Sequence, residues 1–231
     1  MYSRIQKIAV ILSIVQFLSQ CTFAQSLWQK QNSGINTDLY AISMLSDQIA
    51  WACGDKGKIL YTSDGGANWK QQSSPVTSKL HDIQAISSLS AIAVGEDGVV
   101  LATIDGGLHW NARPSPTRDD LYTVTINGDQ IYIGGVCGQI FYSRNNGYSW
   151  TLQSTNSTKL IYDLAVNQNQ ERAAATSGGE YLKSSTNSWT PSSILVQPYS
   201  NLLKIRYDQN RWSAINHKGD FIILSANPVI Q

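Results

Sequence analysis

Charge is scarce in this sequence: Asp, Glu, Lys and Arg make up 14% of its 231 residues, where a soluble domain usually has about a quarter. The formal net charge is +1, so we expect no basic surface of the kind that binds nucleic acid. Only three Cys and three His are present, which argues against a metal site, and we expect no cofactor. Beyond the first 24 residues, no apolar pattern has a helical period, so a helical fold is excluded.

The N-terminal segment has the features of a secretory signal peptide. Arg4 and Lys7 precede a short apolar run, and Thr22 and Ala24 supply the small residues that a signal peptidase reads. The run is too short to span a bilayer, which needs about 20 residues. We therefore predict a signal peptide over 1–24, with lipidation at Cys21 as the alternative, and an exported mature protein, periplasmic or extracellular. Losing the charges of Arg4 and Lys7 takes the net charge from +1 to −1.

Residues 25–231 read as five copies of one unit, with a period set by tryptophan. The series is Trp28, Trp69, Trp110, Trp150 and Trp189, with spacings of 41, 41, 40 and 39 residues. A leucine recurs about 30 residues before each closing Trp position, at Leu39, Leu80, Leu121, Leu160 and Leu202. Each unit holds four short stretches rich in β-branched and aromatic residues, separated by Gly, Asn or Asp. Four strands in about 40 residues are typical of a β-propeller blade.

The sequence therefore predicts an all-β fold: a β-propeller of five four-stranded antiparallel blades in one domain over 25–231. The mature chain begins just before Trp28, at the position of a last strand, and reaches Gln231 just before that strand would recur. We expect the N-terminal strand to complete the fifth blade and close the ring, giving a monomer. A partial ring completed in a dimer is the alternative.

A Ser/Thr-x-Asp-x-Gly-x-x-Trp box marks the second turn of the first three units. Its positions are Thr62, Asp64, Gly66 and Trp69, then Thr103, Asp105, Gly107 and Trp110, then Ser143, Asn145, Gly147 and Trp150. The Asp or Asn side chain is expected to accept hydrogen bonds from its own turn, and glycine to adopt positive φ. The Trp is expected to pack between blades. This predicts a structural lock, with no catalytic residue.

The box resembles the Asp-box, or BNR repeat, of sialidases and related propellers. Together with Gly-x-x-Gly turns such as Gly54–Gly57 and Gly95–Gly98, the pattern over 28–231 is similar to the photosystem II stability/assembly factor family. The resemblance implies an exported, non-enzymatic propeller that binds protein and acts as a scaffold or assembly factor for an envelope complex. Family members with that role have seven blades, whereas this sequence has five repeats.

Two other functions remain open from the sequence. A sialidase-like glycosidase needs an arginine cluster, a Tyr nucleophile and an acid/base carboxylate, and the nearest segment, 204–208, does not match. A carbohydrate-binding propeller would expose Trp or Tyr rings on one face.

The loops that follow each Trp are the candidate partner-binding surface, because propeller loops usually carry function. The densest charge lies in the third loop, at Arg113, Arg118, Asp119 and Asp120. The fifth loop, with Leu195 and Tyr199, is apolar and is interpreted either as a partner contact or as a cover for the closing seam. Cys53 and Cys137 fall in units that are not neighbours, so we expect two free thiols.

Overall fold

The computed structural model describes residues 30–184, 189–193, 200–208 and 211–224. Within them the chain forms five antiparallel sheets, each built from strands that are consecutive in sequence. The first sheet contains β1 (Leu39–Met44), β2 (Ala50–Gly54), β3 (Ile59–Thr62) and β4 (Lys70–Gln72), and the second contains β5 (Leu80–Ala85), β6 (Ala91–Gly95), β7 (Val100–Thr103) and β8 (Asn111–Ala112). The third contains β9 (Leu121–Asn127), β10 (Gln130–Gly135), β11 (Ile140–Ser143) and β12 (Thr151–Gln153). The fourth contains β13 (Ile161–Val166), β14 (Arg172–Thr176), β15 (Glu180–Ser184) and β16 (Thr190–Ser193), and the fifth contains β17 (Leu202–Asp208), β18 (Arg211–Asn216) and β19 (Phe221–Leu224).

The turn between the second and third strands is the Gly-x-x-Gly frame of the sequence. In the first sheet, Asp55–Gly57 form a short 3-10 turn, in which Lys56 and Gly57 have φ of 57° and 65°. The same turn recurs at 96–98, 136–138 and 177–179. Gly54 is required for a different reason: a Cβ there would overlap the carbonyl oxygen of Asp38. The turns thus hold the start of each first strand against the end of the second.

The core lies between consecutive sheets. Four buried clusters each combine the two facing surfaces of neighbouring sheets, and the first strands of consecutive sheets also pack on one another. In the junction between the first and second sheets, Trp51 and Ile59 pack against Ile83 and Leu101. Trp51 and Trp212, the two tryptophans outside the repeat series, are both buried in such junctions. One sheet alone could not bury both of its faces, so the stack of sheets is the stable unit.

Five antiparallel sheets fit the five predicted blades, four of them with four strands and the last with three strands among the described residues. The predicted closing strand at Trp28 and the predicted signal peptide with Cys21 lie outside the described residues. In the described part of the chain, no helix is long and apolar enough to cross a membrane. One position needs correction: the counterpart of Leu39 in the fourth sheet is Ile161 rather than Leu160, because Ile161 pairs with Thr176 as Leu39 pairs with Gly54.

Candidate functional site

Each of the three box turns is closed by the same hydrogen bonds. Thr62 Oγ1 donates to Asp64 Oδ1 (2.8 Å) and accepts from Gly66 N (2.9 Å), while Asn68 N donates to Asp64 Oδ1 (2.9 Å). The second box repeats these bonds between Thr103 and Asp105 (2.8 Å), Gly107 and Thr103 (2.9 Å), and His109 and Asp105 (3.0 Å), and the third between Ser143 and Asn145 (3.0 Å), Gly147 and Ser143 (3.0 Å), and Ser149 and Asn145 (2.9 Å). The side-chain amide of Asn68 and the backbone N–H of His109 are the main causes that lower the pKa of Asp64 and of Asp105, respectively, to about 2. Both carboxylates are therefore engaged in hydrogen bonds within their own turns.

Two of the box tryptophans, Trp110 and Trp150, lie where one sheet meets the next. Trp110 Nε1 donates to Gln72 Oε1 (2.8 Å) on the preceding sheet, and Gln72 Nε2 in turn donates to the Gly106 carbonyl (2.8 Å). Trp150 Nε1 likewise donates to the Pro114 carbonyl (3.0 Å). Trp69 is half-buried. The box turns therefore link neighbouring sheets as well as closing hairpins.

The four charged residues predicted in the third loop do not form one patch. Arg113 lies on the box turn of the third sheet, 4.2 Å from the Tyr148 ring centroid. Asp119 accepts from Gln139 (3.3 Å) and Arg118 is exposed. Asp120 accepts from the Asp97 backbone N–H (3.0 Å) and so braces the second Gly turn. Leu195 and Tyr199 lie outside the described residues. A partner role for all six stays a prediction.

A row of rings that the sequence interpretation missed lies at the end of the sheets that carries the Gly turns. In every first strand a β-bulge leaves one residue unpaired, and these residues are Tyr40, His81, Tyr122, Tyr162 and Leu203. The bulge re-aims the side chain out of the normal alternation. We call Tyr40, His81, Tyr122 and Tyr162 the aromatic row. The His81 and Tyr122 rings stack at 4.6 Å, Tyr40 lies 6.2 Å from His81, and Tyr162 lies 6.4 Å from Tyr122.

The aromatic row is surrounded by hydrogen-bonding and charged groups. Tyr40 Oη donates to Asp55 Oδ1 (3.0 Å), and Lys79 Nζ lies 5.2 Å from the Tyr40 ring centroid. The same ammonium is 3.9 Å from Asp55 and 3.6 Å from Glu96 Oε1. Burial lowers the pKa of His81, so its imidazole is neutral at pH 7, and its Nε2 has no hydrogen-bond partner among the described residues. This end of the sheets thus offers rings beside carboxylates.

A cavity of about 530 Å³ is lined by the first strands of all five sheets. We call it the inner cavity. Its wall includes Tyr40, the first residue of the aromatic row, together with Asp82, Asp163, Lys204 and Arg206. A volume of this size is ordinary for a ligand site. The inner cavity and the aromatic row together form the candidate functional site.

The two carboxylates of the inner cavity differ in their partners. Asp163 lies 3.4 Å from Lys204 Nζ and 2.6 Å from Arg206 Nη1, so its charge is balanced within the protein. Asp82 accepts from the backbone N–H groups of Ile83 (2.9 Å) and Val124 (2.9 Å). No ion pair to Asp82 occurs in the described residues, and burial raises its pKa to about 6.

Side chains at one register position of the first strands join neighbouring sheets. The Val124 N–H donates to Asp82, the Leu164 N–H to Thr123 Oγ1 (3.2 Å) and the Ile205 N–H to Asp163 (2.8 Å). The repeat could have revealed these positions, because Ala41, Asp82, Thr123, Asp163 and Lys204 all stand two residues after the residue that opens the first strand.

The two thiols sit in different environments. Cys53 is buried, and its burial raises its pKa well above the ordinary value. Cys137 is free and exposed in the third Gly turn. In the described part of the chain, no group of His, Cys, Asp and Glu is arranged to hold a metal ion.

Consecutive four-stranded antiparallel sheets, packed face to face and linked by box turns around one cavity, define a protein of the β-propeller class. The family described as Photosynthesis system II assembly factor YCF48 matches residues 67–224. The chain belongs to this family. Among curated proteins, no relative matches the sequence.

Solved structures give the same answer for the fold. A structure of YCF48 bound to D1 peptide has a TM-score of 0.72 and 16% identity, with 88% of this chain and 68% of that chain covered. YCF48 from Cyanidioschyzon merolae has a TM-score of 0.68 and 19% identity, covering 87% and 70%. An ancestral GH74 enzyme is also similar, with a TM-score of 0.61 and 14% identity, covering 87% of this chain and 33% of that chain.

Proposed function

We propose that this protein is an exported, non-enzymatic propeller that holds a segment of a client protein at the candidate functional site. The observation that carries the proposal is the aromatic row, whose rings four successive β-bulges place at one end of the sheets, with Tyr40 in the wall of the inner cavity. Each bulge interrupts the hydrogen bonding between two strands. Because it recurs at the same position of the repeat, we infer that it serves to present a binding surface. Rings and a small number of polar groups around a concave site are typical of recognition.

The side chains that an enzyme of the sialidase kind would need have structural partners instead. Arg206 binds Asp163, and Tyr207 packs on the Trp212 ring at 5.0 Å. Arg172 is buried and donates to Tyr132 Oη (2.8 Å). With these groups engaged, binding is the better-supported function.

The family supports a role in assembling or stabilising a protein complex. A relative of the same fold is described as bound to D1 peptide, which is an example of a propeller of this type holding a protein segment. By extension we propose that the client here belongs to an envelope complex, and that the protein acts as a scaffold after export.

We also propose that the ring closes within one chain. Ile42 on β1 is 60% exposed, whereas its counterparts Ile83, Val124, Leu164 and Ile205 are at most 3% exposed. Phe221 on β19 is 67% exposed, whereas its counterpart Ile59 is fully buried. These apolar positions at the two ends of the series are the surfaces that a closing junction would cover, with the strand at Trp28 completing the fifth sheet.

The test is a crosslinked capture from native envelopes with C-terminally tagged full-length protein. We expect one membrane or secreted protein in near-equal amount, and we expect Tyr122→Ala to reduce its recovery. The matched control is Tyr148→Ala, because Tyr148 is 58% exposed but lies in a box turn. The mass of the captured bait distinguishes cleavage after Ala24 from lipidation at Cys21. Equal recovery with both variants, or no enriched protein, would contradict the proposal.

Carbohydrate binding is the second candidate, because exposed rings on one face suit sugar stacking, and Tyr40 is 44% exposed. The same two variants separate the candidates on a glycan array. A glycan whose binding requires Tyr122 and not Tyr148, with no protein captured from envelopes, would favour this second function.

A further inference from the structure

The negative charge of Asp82 is not needed for the contact that Asp82 makes between sheets. Thr123 fills the equivalent position in the third sheet and accepts the equivalent backbone N–H from Leu164 at 3.2 Å. A neutral hydroxyl therefore suffices for this contact. Asp163 also accepts such a bond, but it carries two cations of its own. The contact between sheets therefore does not explain why a carboxylate, rather than a neutral group, stands at this position in the wall of the inner cavity.

The groups that face Asp82 leave its charge uncompensated. Lys204 on β17 favours the carboxylate, but it lies 3.4 Å from Asp163 and is engaged there. Asp163 on β13 disfavours the charge, and Cys53 on β2 is a buried neutral thiol. Burying a carboxylate without a counter-charge is costly, so an incoming cation would gain free energy at this position.

One ammonium group already lies beside Tyr40, a residue in the wall of the inner cavity. Lys79 Nζ lies over the Tyr40 ring at 5.2 Å and within 3.9 Å of Asp55 and Glu96 carboxylate oxygens. Rings flanked by carboxylates are a common way to bind ammonium and guanidinium groups. Asp120 adds a further carboxylate beside the Tyr122 hydroxyl, at 3.5 Å. The surroundings of the aromatic row are therefore suited to a cationic side chain.

We propose that the inner cavity receives a Lys or Arg side chain of the client, which passes the aromatic row and forms an ion pair with Asp82. The inference rests on the proposed function and specifies its partner: a protein segment with an exposed basic residue. The cavity of about 530 Å³ has room for such a side chain. The cation replaces the proton that Asp82 otherwise binds in mildly acidic solution.

The test uses three synthetic heptapeptides, Gly-Ser-Gly-X-Gly-Ser-Gly with blocked ends, in which X is arginine, citrulline or glutamate. Citrulline has the shape of arginine without its charge. Binding to the full chain is followed by NMR, from the carboxyl carbon of Asp82 and the amides of Ile83 and Val124. We expect the arginine peptide to shift these resonances saturably and to lower the pKa of Asp82. The citrulline and glutamate peptides should bind at least about tenfold more weakly.

Variants assign the effect to the carboxylate. Asp82→Asn should weaken the arginine peptide at least about tenfold, whereas Asp129→Asn, which removes an exposed charge in the turn between β9 and β10, should change its affinity less than about twofold. Lys204→Gln removes a positive charge from the wall of the inner cavity and should tighten binding of the arginine peptide, which keeps a test available if Asp82→Asn does not fold. Equal affinity of the arginine and citrulline peptides, or no binding of either, overturns the inference.

Envelope capture separates this inference from the proposed function. If Asp82→Asn captures the client as well as the wild type while Tyr122→Ala does not, the binding function stands and the basic anchor is wrong. If neither the wild type nor any variant captures a protein, the proposed function itself fails.

Discussion

At the scale of single residues, two kinds of carboxylate give opposite dependences of stability on pH. The pKa values of Asp64 and Asp105 are about 2, below the ordinary 3.8, so their stabilisation is present above pH 4 and lost as pH falls through 2. The pKa of Asp82 is about 6, so the folded protein binds this proton more tightly than the unfolded chain does. Its stabilisation is present below pH 4 and lost as pH rises through 6.

We therefore predict that Asp82→Asn removes a specific part of the pH profile. Between about pH 4.5 and about pH 7, the Asp82 proton should contribute about 2 kcal/mol of free energy of unfolding that disappears at the higher pH. Urea unfolding at both pH values measures it. Asp119→Asn is the control and should keep the wild-type difference. Parallel profiles for the wild type and Asp82→Asn would show that Asp82 titrates normally.

At the scale of elements, the junction between the first and second sheets depends on a close approach of Gly107 to Gln72. Gly106 and Gly107 both have positive φ, 74° and 82°. A Cβ on Gly106 would make ordinary contacts, with the Leu89 side chain at 3.6 Å and the Ser88 carbonyl oxygen at 3.9 Å, whereas a Cβ on Gly107 would overlap the Gln72 amide. The Gln72 Oε1 atom also accepts the Trp110 indole N–H, so the Gln72 side chain cannot move without losing this hydrogen bond.

The matched pair of alanine substitutions tests this contact. Gly106→Ala should cost about 1–2 kcal/mol from backbone strain alone. Gly107→Ala should cost about 1–3 kcal/mol more, because Gln72 must move and the bond to Trp110 is lost. Adding Gln72→Ala should cost much less in the Gly107→Ala background than in the wild type, as measured by a double-mutant cycle of unfolding free energies. Equal costs for the two glycines would mean that Gln72 yields freely.

Most of the strands and turns could be predicted from the repeat in the sequence, but much less of the candidate functional site could. Strands, Gly turns and box turns follow from local composition that recurs every 40 residues, and the box bonds join residues at most four apart. The aromatic row could be predicted only in part: Tyr40, His81, Tyr122 and Tyr162 recur with the repeat, but their rings are brought together by bulges, which arise from a mismatch in strand pairing. Likewise, Arg113 and Asp120 are close in sequence, but Arg113 contacts the box turn of the third sheet and Asp120 contacts the second Gly turn.

At the scale of the whole molecule, closure of the ring determines whether Ile42 on the first sheet and Phe221 on the fifth sheet become buried. Every described junction between sheets buries an apolar residue at the position of Ile42, and burial of such a side chain contributes about 1.5–3 kcal/mol. A ring that closes in one chain would bury Ile42 against the fifth sheet. A ring that needs a second copy would bury it only in a dimer, and its stability would then depend on protein concentration.

Ile42→Asp and Ile104→Asp form a matched pair for this question, because the two side chains are 60% and 63% exposed and receive the same change. With closure in one chain, Ile42→Asp should lower the free energy of unfolding by at least about 2 kcal/mol, independent of protein concentration, and both proteins should sediment as monomers. Ile104→Asp lies in a box turn and should stay within about 0.5 kcal/mol of the wild type. A wild-type dimer that Ile42→Asp dissociates would replace the closed ring with two partial rings. Equal, small effects of both substitutions would mean that the surface around Ile42 faces solvent, and that no junction forms there.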